Sequence, residues 1–237
     1  MSKLAVHENK IYSLGDNAVY TIPTAILPLP TLWLRADAGI VKDGDDKVSQ
    51  WQDQSGNNYH AEQETQANKP LLVSDDLNGK PVLRFDGAND FMQVDFQQSF
   101  AQPNTYFIVG RVAASSGAPH PFVGGNPGQI VSTLDSQTMG YYSGSWRTYT
   151  KPSPFDYHAF TAIFDGNNSQ FYENGLLKLT TNPGANAQSQ IMFIGRYIAS
   201  STEYLNGDIA EIIFYNSLLS DPQRQSVENY LINKYGL

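Results

Sequence analysis

Apolar residues in this chain come mostly in short runs, and several runs alternate with polar residues at every second position. In "FMQVDF", Met92, Val94 and Phe96 are apolar while Gln93 and Asp95 are polar, the period of a strand with one buried face. "KPVLRF" precedes it. The intervening Asp86-Gly87-Ala88-Asn89-Asp90 predicts a tight turn, because Gly87 accommodates a positive φ and Asp and Asn tolerate one. Leu32-Trp33-Leu34, Val48 to Trp51, "QIVSTL", "MGYYSGSWRTYT", "YHAFTAIFDG", "IMFIGRY" and "GDIAEIIFYN" predict further strands. "NTYFIVGRVA", residues 104–113, is apolar enough for a central strand. Asn174-Gly175, between Phe171-Tyr172-Glu173 and Leu176-Leu177-Lys178, predicts a type I′ hairpin, whose two central residues need positive φ. Trp33 and Trp51 sit in apolar strands and are expected in the core.

The period changes once. After Ser220, Val227, Tyr230, Leu231 and Lys234/Tyr235 recur at helical spacing. Ser220 and Gln223 form a capping box, Asp221 suits the positive end of the dipole, Pro222 fits the first turn, and Gly236 predicts the stop. At the other end, residues 1–30 predict a short hairpin, Lys10–Ser13 with Ala18–Ile22, and then a linker marked by Pro23, Pro28 and Pro30. This segment is expected to attach the module to sister copies or to a larger assembly, leaving 31–237 as one domain. The fold class expected is all-β, a two-sheet antiparallel sandwich with a C-terminal helix.

Composition narrows the partners. The formal net charge is −8, with no basic stripe, which disfavours nucleic acid and an anionic membrane surface. No run of about 18 apolar residues is present, so no membrane-inserted helix is expected. The N-terminal residues have no apolar core of signal-peptide length. The chain has no cysteine, which excludes disulfides, thiolate metal sites and a cysteine nucleophile.

Three stretches together resemble the laminin-G-like, concanavalin A-like lectin/glucanase superfamily. They are "LWLRADAGI…VSQWQDQSGNNYHAEQ…PVLRFDGANDFMQV", "FYENG" followed by "FIGRY", and "LNGDIAEIIFYNSLLSDPQRQSVENYLINKYGL". The resemblance covers about residues 31–237 and is similar to bacterial and phage jelly-roll members. It implies two sheets of six or seven strands and glycan binding across a concave sheet or at its rim. The superfamily also includes glycanases, lyases and structural modules, so the fold alone does not fix the activity.

The glucanase members place carboxylates in a Glu-x-Asp-x-x-Glu pattern, so that alternate residues flank a glycosidic bond. That pattern is missing here. Gly87 interrupts "FDGAND", "DGDD" is a loop, and regular alternation puts Asp208 and Glu211 on opposite faces. His60, His120 and His158 carry no lyase spacing. A non-enzyme is therefore expected, although a polysaccharide hydrolase or lyase stands as a third reading.

Many relatives hold a structural Ca²⁺, an oxygen-seeking ion. The resemblance nominates Asp43 and Asp45 in "KDGDDK", Asp86 in its turn, and Asp208 on the last strand. Turn propensity alone also accounts for Asp and Asn in such loops. For binding, "MGYYSGSWRTYTKPSPFDYH" offers Trp146, Arg147, Tyr142 and Tyr149. Aromatic faces stack on sugar rings, and Arg and Tyr bond to hydroxyls. Trp146 is expected to be exposed, with Tyr142 or Tyr149 beside it. The leading reading is a carbohydrate-binding or adhesion module that takes a glycan or surface polysaccharide, outside the cell, at a cell surface or on a virion. The alternative is a structural or decoration protein using the same sandwich for protein contacts.

Overall fold

The computed structural model describes residues 27–113, 119–125, 127–135, 137–151, 155–197 and 203–237, together with three short strands nearer the N-terminus. Those strands are β1 (Val6–His7), β2 (Lys10–Tyr12) and β3 (Val19–Thr21), and they form an antiparallel sheet of their own in the order β1-β2-β3. The pairing of Ile11 with Tyr20 matches the hairpin expected there. The linker prolines other than Pro28 and Pro30, and all side chains before residue 27, lie outside the described residues.

The body is built from β4 (Leu32–Arg35), β5 (Ile40–Lys42), β6 (Val48–Trp51), β7 (Ala61–Glu62), β8 (Leu71–Leu77), β9 (Lys80–Asp86) and β10 (Met92–Asp95). Next come β11 (Asn104–Val112), β12 (His120–Gly124), β13 (Ile130–Thr133), β14 (Thr138–Tyr142) and β15 (Trp146–Thr150). β16 (His158–Phe164), β17 (Ser169–Glu173), β18 (Leu176–Thr181), β19 (Ile191–Ile194), β20 (Asn206–Tyr215) and α1 (Asp221–Tyr235) complete it. One sheet has nine strands in the order β15-β14-β13-β12-β19-β10-β7-β6-β5. The other has eight, β18-β17-β16-β11-β20-β9-β8, with β4 also paired to β20. The sheets are larger than the expected six or seven strands, because short pieces such as β5–β7 extend them.

Between the sheets lies an apolar layer that includes Trp51, Val94, Tyr106, Phe122, Phe160 and Phe214. At about 25 cal/mol per Å², this burial is the main stabilising force. A second apolar layer covers the outer face of the eight-stranded sheet. There Val227, Leu231 and Tyr235 of α1 pack on Phe107, Val109, Ala159 and Ile213. Trp33 belongs to this second layer and meets Tyr230 edge to face, with ring centroids 6.4 Å apart. α1 has the expected capping box at Ser220 and Gln223 and ends on Gly236 with φ 68°.

The Asp86–Asp90 turn is a corner. β9 belongs to the eight-stranded sheet and β10 to the nine-stranded one, so this turn carries the chain from one sheet to the other. Gly87 has φ 77°, and a Cβ there would sit 2.7 Å from the Asn206 Cβ. Asn174 and Gly175 have φ of 49° and 74°, as the hairpin requires. Asp208 and Glu211 depart from the expectation of opposite faces. The β11–β20 register shifts between Val109 and Gly110, leaving Ala210 without a partner in the ladder. The bulge turns both carboxylates to the helix side: Glu211 accepts from the Trp33 indole at 2.6 Å, and Lys234 lies 2.7 Å away.

Candidate glycan-binding face and rim cleft

Among the described residues, α1 covers the opposite side of the sandwich and leaves the outer face of the nine-stranded sheet open. On that open face Trp146 of β15 pairs with Tyr142 of β14, and Tyr142 pairs with Ile130 of β13. The Trp146 and Tyr142 rings lie 5.4 Å apart, tilted by 50°. Gly140 lies beneath this pair: a Cβ there would crowd Arg147 O and Thr148 Cγ2 at 3.1 Å and touch the Trp146 ring at 3.4 Å. Trp146 is 36% exposed, and Tyr142 is half-buried.

Tyr197 extends the same surface. Its ring lies over Gly124, where a Cβ would sit 3.8 Å from it. Burial pushes the Tyr197 phenol up, and the nearby Tyr142 adds to that shift. Further along, Arg196 stacks over Phe91 at 4.8 Å and over Tyr204 at 5.4 Å. "FIGRY" marks this part of the face in the sequence. Nothing in its spacing signals that Tyr197 joins Tyr142, because β14 and the segment after β19 are far apart in the chain.

Arg147 and Tyr149 do not join this surface. They alternate with Trp146 and Thr148 and so point to the other side of β15. Arg147 donates to Ser145 Oγ at 2.7 Å and to Thr181 Oγ1 at 3.1 Å. Tyr149 packs on Phe171 with ring centroids 5.4 Å apart, and burial, with the Glu173 carboxylate behind it, pushes its phenol well up. The expectation that Tyr149 is exposed is thus corrected: the period of two that exposes Trp146 buries Tyr149.

Three of the nominated carboxylates hold hydrogen bonds within the fold. Asp43 accepts the backbone N–H groups of Asp45 and Lys47, each at 3.0 Å, and the Gln66 amide at 2.6 Å. Asp45 stands exposed in that loop. Asp86 Oδ1 accepts the backbone N–H of Ala88 at 2.8 Å and of Asn89 at 3.1 Å, closing the corner. Asp208 is fully buried and accepts from Arg84 Nε at 2.7 Å, Arg111 Nε at 2.8 Å and the Tyr157 hydroxyl at 2.9 Å. Among the described residues no three acidic or histidine side chains gather as metal ligands. The Asp208 oxygens are taken by the two guanidinium groups and the phenol, so Asp208 itself has none left for a metal ion.

A cleft of about 190 Å³ opens beside this network at the rim, where the Asp86–Asp90 corner meets the start of β20. Leu71, Phe85 and Ala113 supply apolar wall, and Lys47, Asp86 and Asp90 supply charge. Asp90 is 2% exposed. Its Oδ2 accepts the Asp86 N–H at 3.2 Å, whereas its Oδ1 accepts no hydrogen bond and lies 3.6 Å from Lys47 Nζ. Burial and the neighbouring Asp86 carboxylate push the Asp90 carboxyl up to about 6. Asp208 goes the other way. Burial would raise it, but Arg84, Arg111 and Tyr157 together hold it below the usual carboxylate range.

Known structures share this fold. The chain aligns with Trypanosoma rangeli sialidase in complex with a difluoro-KDN compound at TM-score 0.63 and 13% identity, covering 99% of this chain and 36% of the sialidase. It aligns with the botulinum neurotoxin serotype D ligand-binding domain in complex with N-acetylneuraminic acid at TM-score 0.59 and 12% identity, covering 86% of this chain and 51% of that one. Domain 4 of AbnA, a GH43 extracellular arabinanase from Geobacillus stearothermophilus, in complex with arabinotriose, aligns at TM-score 0.56 and 14% identity over 84% of this chain and 97% of that domain. The chain therefore spans about a third of the sialidase and half of the toxin domain, and identities this low establish the β-sandwich fold alone. No family profile and no curated protein matches the sequence.

Proposed function

We propose that this protein is a non-catalytic carbohydrate-binding module of the laminin-G-like kind, which holds a glycan or surface polysaccharide against the open face of its nine-stranded sheet. The observation that carries this reading is the Tyr142–Trp146 pair, set side by side over Gly140 on the face that α1 leaves uncovered. Two tilted aromatic faces offer stacking area for successive sugar rings, and the Tyr142 hydroxyl offers a polar contact. The neighbours in complex with N-acetylneuraminic acid and arabinotriose support a sugar as the ligand. Such a module acts outside the cell, at a cell surface or on a virion, with no bond broken, and residues 1–30 would tie it to its assembly.

The test is a glycan-array screen followed by titration of the best glycan. Trp146→Ala and Tyr142→Ala are each expected to weaken binding by about tenfold, ~1.4 kcal/mol. Leu177→Ala, an exposed change on the other sheet, is expected to leave it intact. An array without a binder, or equal affinity in all folded variants, would defeat the reading.

A further inference from the structure

We infer that the rim cleft beside Asp90 is a second binding site, separate from the aromatic face, and that it takes a neutral hydroxyl-bearing group such as a terminal sugar ring. Three observations converge on it. The cleft measures about 190 Å³, enough for one small ring. Its walls mix apolar surface from Leu71, Phe85 and Ala113 with the charged Lys47, Arg84, Asp86, Asp90 and Asp208, a mixture that suits a small polar ligand. Finally, Asp90 is almost fully buried, yet its Oδ1 has no hydrogen-bond donor.

Buried acceptors without a hydrogen-bond donor are costly and uncommon, and a ligand donor offsets that cost. Charge selects the ligand. A cation would face Lys47 Nζ, which already forms an ion pair with Asp90 Oδ1 at 3.6 Å. An anion would face both Asp86 and Asp90. Arg84, on the same wall, is already held by Asp208 and Asp76. A hydroxyl avoids both conflicts. It donates its proton to Asp90 Oδ1 and accepts one from the Lys47 ammonium, completing a contact that the ion pair is too long to make. A sugar ring then lays its C–H face on Leu71 and Ala113.

This inference does not depend on the aromatic face, and the experiment separates the two. The full chain, labelled with ¹⁵N, is titrated with methyl α-D-glucopyranoside, methyl β-D-galactopyranoside and methyl α-L-arabinofuranoside, and in parallel with N-acetylneuraminic acid and calcium chloride. At least one neutral glycoside is expected to shift the amide signals of Ala88, Asn89, Ala113 and Asn206 saturably. Asp90→Asn keeps the size of the side chain, and it should weaken that binding roughly tenfold, the effect of losing one charge-assisted hydrogen bond. Leu71→Trp fills the cleft from its apolar wall, beside its cross-strand neighbours Lys47 and Arg84, and should abolish the shifts. Trp146→Ala should leave them unchanged. The inference is overturned if no neutral glycoside moves these signals, if both cleft variants bind as the parent does, or if only calcium or the anionic sugar moves them.

Discussion

Asp208 and Asp90 are two buried carboxylates on the wall of one cleft, and the fold treats them in opposite ways. Asp208 lies on the bulged strand β20 and receives two guanidinium groups and a phenol. Asp90 lies on the corner between the sheets and receives one backbone N–H, with an ammonium just out of hydrogen-bond range. The first is driven below the ordinary carboxylate range and the second up to about 6. Burial alone raises both, so the difference comes from the partners. A fully partnered carboxylate holds strands together. One left with a spare acceptor beside a cavity has something to offer a ligand.

The largest expected break in this contrast is Asp208→Ala. It leaves Arg84, Arg111 and Tyr157 converging on an empty place, and it should destabilise the protein by about 3 kcal/mol, the lower end for breaking a buried pair. Partial exposure of both arginines keeps the cost from being higher. Denaturant titration at neutral pH reads this directly, and a loss below about 1 kcal/mol would mean that Asp76 alone organises the cations.

Gly87→Ala attacks the Asp90 side of the contrast through its backbone. With φ 77° and a new Cβ only 2.7 Å from that of Asn206, it should cost about 2 kcal/mol and shift the corner. Thermal unfolding measures the cost, and an unchanged Tm would show that the corner yields freely.

The smallest effect has the opposite sign. A carboxyl whose folded pKa is raised binds protons more readily in the native state, so its contribution to stability is present below about pH 4 and is lost as pH rises to about 6. Asp90→Asn removes that loss. It should therefore stabilise the protein above pH 6 by about 1 kcal/mol and flatten the pH dependence of stability between pH 4 and 6. For Asp208 the sign reverses. Its stabilisation is full above its unfolded pKa near 4 and disappears at lower pH. Urea titrations across pH 3 to 8 on the parent and on Asp90→Asn would show both slopes. Identical curves would remove Asp90 from the account.

Local signals made much of the fold legible. The alternation in Met92–Phe96, the Asn174-Gly175 hairpin and the caps of α1 are short-range patterns, and the structure repeats each of them. Long-range register was not legible. No residue of "FDGANDF" tells that β9 and β10 join different sheets. The bulge that turns Asp208 and Glu211 to one face depends on how β20 pairs with β11, more than ninety positions away by the separation of Arg111 and Asp208. At the candidate site, Trp146 and Tyr142 were readable because aromatic residues flanking a Gly–Ser turn stand out. Alternation sends half of the side chains in that stretch inward, but the sequence does not say which half, and the structure turns Arg147 and Tyr149 away from Trp146. Tyr197 and the spare oxygen of Asp90 required the assembled sheets.

The position of α1 gives the molecule a front and a back. Gln225, Asn229 and Asn233 form an exposed, uncharged stripe four residues apart along the helix, on the side of the sandwich away from Tyr142 and Trp146. The chain contains no cysteine, so a single thiol introduced at Asn229 would be the one reactive handle. Coupled there, every copy would lie on its back, forming an oriented coating with the tyrosine–tryptophan face turned to the solution.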